Sequence, residues 1–154
     1  MGSCDYYIID PHNEHVGFID IKDAPKDKNF KACFEENIFP YYYSRSPASF
    51  SYGKDSLKKY FHKKYNNFED VSCSGYVTAR FVINCEGEAG RFIVHQVGPD
   101  YVQKKLNPKI VNNLLEAVQA LEDWKPIQFF DDKYDSFFHL SFKIEGGDLV
   151  EILP

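Results

Sequence analysis

Between Tyr76 and Asn84 the chain alternates without a break, with Val77, Ala79, Phe81 and Ile83 on one side and Tyr76, Thr78, Arg80 and Val82 on the other. Successive side chains of a strand point to opposite faces, so this stretch predicts a strand with one face in the core. Asn84-Cys85-Glu86-Gly87-Glu88 follows as a hairpin connection in which Gly87 takes positive φ at little steric cost, and Arg91 to Val97 returns as a second strand. Upstream, Leu57, Tyr60, Phe61 and Tyr65 share one face of a helix over about Lys54 to Tyr65, ended by Asn66-Asn67. Downstream, Asn107-Pro108 reads as a capped helix start, and Val111, Leu114, Leu115, Val118 and Leu121 give a helix over about Pro108 to Leu121 a clear apolar stripe.

Trp124-Lys125-Pro126 breaks that helix and Asp131-Asp132-Lys133 makes a turn. Tyr134 to Ile144 then alternates again, with Phe138, Leu140, Phe142 and Ile144 on one side. Glu145-Gly146-Gly147-Asp148 is a strong turn signal, after which Leu149 to Leu153 folds back as a short last strand. Phe81, Leu115 and Phe142 are expected to be buried together.

Residues 1–50 read differently, as an extension on a domain of residues 51–154. Tyr6 to Ile9 and Val16 to Ile21 look like short strands, Lys22 to Asn29 is a charged loop, and Cys33 to Ser49 holds Pro40 and Pro47, which favour an extended path. Aromatic residues make up 17% of the chain. A segment so rich in Tyr and Phe is expected to lie against the sheet face left bare by the helices, near Tyr76 and Arg80.

A net charge of -5 with 18 Lys+Arg argues against a general nucleic-acid binder, which needs a clustered basic surface. The run Lys58-Lys59-Tyr60-Phe61-His62-Lys63-Lys64 reads as the solvated face of a helix. No stretch reaches the ~20 apolar residues of a membrane-spanning helix. Met1-Gly2-Ser3-Cys4 lacks the basic and apolar regions of a secretory signal, so the protein is cytosolic or a native leader has been cut away. A Gly-Ser-Cys sequence is also how a lipoprotein signal ends, which makes Cys4 a candidate lipidation site beside the plainer reading of an ordinary thiol.

Cys4, Cys33, Cys73 and Cys85 show no C-x-x-C or Cys/His spacing of a zinc site, and no metal or other cofactor is expected. Cys73 and Cys85 bracket one strand and would stand about 40 Å apart, beyond disulfide reach. Cys33 with either of them is the one internal bridge to consider, and free buried thiols are the default expectation.

In the order helix, strand, Gly turn, strand, helix, Trp-x-Pro, strand, the chain resembles the TonB C-terminal domain family. The matching residues are Gly53, Leu57 and Tyr60-Phe61, then Gly75 through Gly87, Val94 with His95 to Gly98, the helix face ending in Val118, Trp124-Lys125-Pro126, and Phe138-His139-Leu140-Ser141-Phe142, over residues 51–144. Asn66 stands where the family often has Pro. The resemblance implies an α+β fold, a three-stranded antiparallel sheet with two helices on one face, to which the fold-back strand adds a fourth. It also implies a periplasmic or cell-envelope module that docks a protein or peptide segment, such as part of an outer-membrane transporter, by adding a strand to the sheet edge. No transmembrane helix or Pro/Lys-rich spacer is among these residues, so what carries over is a fold and a binding mode.

On that reading the last long strand offers its edge to the partner, and Phe137, His139, Ser141 and Lys143 are the side chains nearest a bound peptide, on the face away from the helices. Leu149 to Leu153 would guard the edge, in a monomer or, exchanged between copies, a strand-swapped dimer. The rival is a thiol-dependent enzyme built on Cys85 and His95. His12 and His15 lack a nearby third metal ligand, and the carboxylates are spread over turns, so no catalytic residue is assigned.

Overall fold

The structure, a computed structural model, is described over residues 29–153; Cys4 and the strands expected at 6–9 and 16–21 lie outside these residues. The elements run β1 (Phe39–Pro40), β2 (Ser49–Phe50), α1 (Gly53–Lys64), β3 (Gly75–Ile83), β4 (Ala89–Val97), α2 (Pro108–Gln119), β5 (Trp124–Lys125), β6 (Ile127–Phe129), β7 (Asp132–Tyr134), β8 (Ser136–Glu145) and β9 (Asp148–Leu153). The three long strands lie in the order β8-β3-β4, all antiparallel, and β9 folds back antiparallel on β8. The class is α+β. The sheet departs from a purely antiparallel one through β1, which pairs parallel with the start of β8 and makes five strands.

The alternation read from the sequence sorts the two faces. Val77, Ala79, Phe81 and Ile83 of β3 and Phe138, Leu140, Phe142 and Ile144 of β8 join Leu57 and Phe61 of α1 and five side chains of α2 in one buried cluster, so both helices lie on one face. Asn107 accepts the Lys109 N–H through its side chain and Pro108 opens α2, as the sequence predicts. The apolar stripe of α2 is rotated from the expected one. Leu114 is 1% exposed and Ile110 fully buried, whereas Leu115 is half-buried and does not join Phe81 and Phe142. The helix rests on the sheet along Ile110, Leu114 and Val118, rather than along a line through Leu115.

Gly87 and Trp-x-Pro turn out to be one feature. Gly87 has φ +82°, and a Cβ there would come within 2.4 Å of the Trp124 carbonyl oxygen. The hairpin turn therefore presses directly on the backbone that leaves α2, which a side chain would prevent. Trp124 is not only a helix breaker. Its ring packs on Phe50, Phe81 and Phe138, and its backbone pairs with Phe50 in the short β2–β5 ladder.

The segment before α1 is strapped to the sheet covalently. Cys33 and Cys85 form a disulfide, so the expectation of free thiols fails for this pair; Cys73 is free and buried. The buried Asp135 organises the junction. Its carboxylate accepts the Phe34 N–H at 2.6 Å and the Cys85 N–H at 2.8 Å, and its carbonyl accepts the Phe39 N–H. Phe30 and Ile38 then pack on Val82, Ile93 and Phe137, on the face away from the helices. The strap thus covers the Val82 end of that face and, through Tyr41 on His139, reaches the position opposite Arg80; of the two places expected, Arg80 lies beside it and Tyr76 at the far end of β3.

Two stability measurements follow. In denaturant unfolding Leu114→Ala is expected to cost about 2–5 kcal/mol and Leu115→Ala distinctly less; equal losses would move the stripe back to the expected line. Serine in place of both Cys33 and Cys85, which close a separation of 52 residues, should lower the unfolding free energy by about 2–5 kcal/mol, and an unchanged midpoint would show that the strap holds without its covalent link.

Candidate functional site: the sheet edges

The four side chains expected to face a partner share the face away from the helices but differ in environment. Phe137 is 5% exposed, sealed by Phe30 and Ile38 of the strap, so it is not a peptide-facing side chain. His139 stands opposite Arg80 and under the Tyr41 ring, with centroids 5.6 Å apart. The Ser141 hydroxyl meets that of Thr78 at 2.7 Å, and Lys143 pairs with Glu145 at 3.0 Å beside Tyr76. Three of the four are therefore half-buried and already engaged within the domain.

The edge expected to receive the partner is occupied. β8 has β3 along Ser136 to Ile144 on one side; on the other, β1 covers Ser136 and Phe137 while β9 covers Ser141 to Glu145. Tyr41 packs over Phe138 and His139 between them. The guarding strand is present where the sequence places it. Gly146 and Gly147, with φ +57° and +84°, form the two-residue turn that sends β9 back, a conformation glycine takes without a Cβ penalty.

Accessible backbone must then be sought at the outer strands, β4 and β9. β4 is blunted at both ends. Arg91 has φ +57° where the β3–β4 register shifts, which makes a bulge, and its guanidinium is tied to the Glu35 carboxylate. At the other end Gln103 bridges Val97, with the Lys104 N–H donating to the Gln96 carbonyl and the Gly98 N–H to that of Val102. β9, by contrast, has no strand on its outer side among the described residues. Counting alternately from the Glu145/Asp148 pair that closes the turn, and allowing for the bulge at Lys143/Ile144, the backbone groups of Leu149 and Ile152 point outward.

Beside that open edge runs a groove between α1 and β9, lined by Lys54, Leu57, Lys58, Glu151, Ile152 and Leu153. Leu57 and Ile152 form its floor, each nearly buried, while Leu153 is 38% exposed at the rim. Sequence reading missed this site. Lys58 was assigned to a solvated helix face, and the placing of that face along an edge strand depends on the tertiary packing of Phe61 against Phe142. The usable signal was local: Lys54, Leu57 and Lys58 at i, i+3 and i+4 put one apolar residue between two cations on one side of the helix.

The rival pair is not assembled. Cys85 Sγ is bonded to Cys33, and Cys85 follows the end of β3 while His95 pairs with Thr78, five residues earlier on that strand. That separation is about 16 Å along the strand. His95 is instead the acceptor of an Arg80 guanidinium N–H at 3.3 Å, on the face away from the helices. Burial disfavours its charged form and lowers its pKa to about 4, and burial also lowers that of Arg80. The sulfurs of Cys33 and Cys85 and the Asp135 carboxylate lie within 4.8 Å of one another, but with both sulfurs in the disulfide no thiolate is left to hold a metal.

Comparison with protein-family models, with curated proteins and with solved structures found no match.

His95 generates a pH prediction. Its folded pKa of about 4 lies below the ordinary value of 6.5, so the unfolded chain binds the proton more tightly. The contribution to stability is complete above about pH 6.5 and is lost as the pH falls toward 4. Urea unfolding at pH 7 and pH 5 should show a loss in the parent protein that shrinks in His95→Gln; an identical loss in both would show that His95 is charged in the fold.

Proposed function

We propose that this chain is a protein-binding module of TonB-like type that takes up an extended segment of a partner as an added strand. The observation that carries the reading is the contrast between the edges among the described residues: β8 is covered by β1 and β9, β4 is blunted by a bulge and the Gln103 bridge, and β9 keeps outward backbone groups beside a groove. Strand addition supplies affinity through main-chain hydrogen bonds and specificity through pockets for alternate side chains. Leu149 and Ile152 would provide the first, and the groove over Leu57 the second.

Two further observations support a cell-envelope setting and a TonB-like mode. The helix, strand, strand, helix, strand order holds in three dimensions, with both helices on one face. The Cys33–Cys85 disulfide suits an oxidising compartment such as the periplasm. A segment of an outer-membrane transporter is the partner this reading favours. The site needs no cofactor and performs no bond-making step.

The test is a selection of ten-residue peptides from a random display library against the intact protein, followed by amide exchange of the complexes. Selected peptides are expected to slow exchange at Leu149 and Ile152 and to leave the β4 amides unchanged. Protection confined to β4, or to the face carrying Ser141 and Lys143, would sink the assignment of the edge.

A further inference from the structure

The groove beside β9 carries a charge pattern that specifies its occupant. α1 has the sequence Gly-Lys-Asp-Ser-Leu-Lys-Lys-Tyr-Phe-His-Lys-Lys, five lysines against one aspartate, in a chain whose net charge is -5. Lys54 and Lys58 flank Leu57 at the groove, and neither has an ion-pair partner among the described residues, where the pairs are Arg91–Glu35 and Lys143–Glu145. The one acidic side chain lining the groove, Glu151, sits on β9 opposite Lys143 of β8. Two exposed lysines therefore line a groove together with the nearly buried Leu57 and Ile152, next to a strand edge that no described strand covers.

We infer that the groove between α1 and β9 binds an extended acidic segment of a partner protein, with carboxylates meeting Lys54 and Lys58 and an aliphatic side chain entering over Leu57 and Ile152. The inference rests on strand addition at β9 and adds the chemistry of the partner. A strand added to β9 alternates its side chains, so every second residue faces α1. The residues that do so pass Lys54 and Lys58, which are one helical turn apart, with Leu57 between them in the apolar contact. A second copy of this chain is a poorer occupant. Two β9 strands paired about a two-fold axis would bring two lysine-rich α1 helices to one seam, where like charges oppose each other.

The experiment uses the intact protein and two synthetic ten-residue peptides, one carrying Glu, Ile and Glu at successive every-second positions with Thr between them, and one with Lys in place of each Glu, followed by fluorescence anisotropy and amide exchange. The acidic peptide is expected to bind at least about tenfold more tightly at low salt, to lose that margin as salt rises, and to protect Leu149 and Ile152. Lys54→Glu combined with Lys58→Glu, two exposed changes that leave Leu57 and Phe61 in place, should reverse the preference. Equal affinity for both peptides with protection still at Leu149 and Ile152 would overturn the acidic selectivity and leave strand addition standing. Preference for the acidic peptide that protects other amides, or that is unchanged in the double variant, would overturn this site. Sedimentation showing a dimer that the double variant tightens would assign the groove to a second copy instead.

Discussion

The register that sets Phe81 of β3 opposite Phe138 of β8 is the constraint on which the rest of the domain depends. A slip of one residue would exchange the faces, sending Arg80 and Thr78 under the helices and Phe81 into solvent. In the observed register Phe81 is fully buried, touching Phe92, Phe138 and Trp124 at ring separations of 5.2 to 5.6 Å. The Trp124 contact in turn fixes the chain leaving α2 against the Gly87 turn, so the hairpin, the helix exit and the central strand pair are set by one packed group.

Long elements were legible in the sequence because their periodicity is repeated often enough to outweigh noise. β3, β4, β8, both helices and the β9 fold-back all lie within a few residues of where alternation, Asn107-Pro108 and Gly146-Gly147 place them. What was not legible depends on contacts distant in sequence. β1, β2 and β5 are two-residue strands held by partners far along the chain, and nothing in Phe39-Pro40 or Ser49-Phe50 announces a ladder. The choice of Leu114 over Leu115 turns on how α2 is rolled against the sheet, a packing angle that both stripes satisfy in sequence. Asp135 reads as an ordinary residue at the start of a strand until its carboxylate is seen to accept the Phe34 and Cys85 amides, beside the Cys33–Cys85 disulfide.

The predicted site was displaced for a related reason. Phe137, His139, Ser141 and Lys143 do lie away from the helices, as alternation requires, but the same sheet face attracts the strap and its own cross-strand partners. A face that buries Phe137 and pairs Ser141 with Thr78 has spent its side chains on the fold. The edge is different, because among the described residues the outward backbone groups of β9 face no further strand.

On the reading proposed above, how the segments along the β8 edge are held bears on which of them could serve a partner. β1 lies against β8 through a strap that is covalently closed at Cys33–Cys85 and further tied by Asp135, so displacing it would require opening a buried hydrogen-bonded carboxylate as well as a ladder. β9 is held by the ladder and by two buried side chains, Leu149 and Ile152, each contributing about 1.5–3 kcal/mol by its burial. A partner strand that adds to β9 would break neither contact, and each main-chain hydrogen bond it gains contributes about 0.5–1.5 kcal/mol net whatever the partner's sequence. The discrimination must therefore come from side chains over the groove. There, on the reading proposed above, the exposed Lys54 and Lys58 would supply charge selectivity that salt screens, and the apolar floor of Leu57 and Ile152 a contact that salt leaves in place.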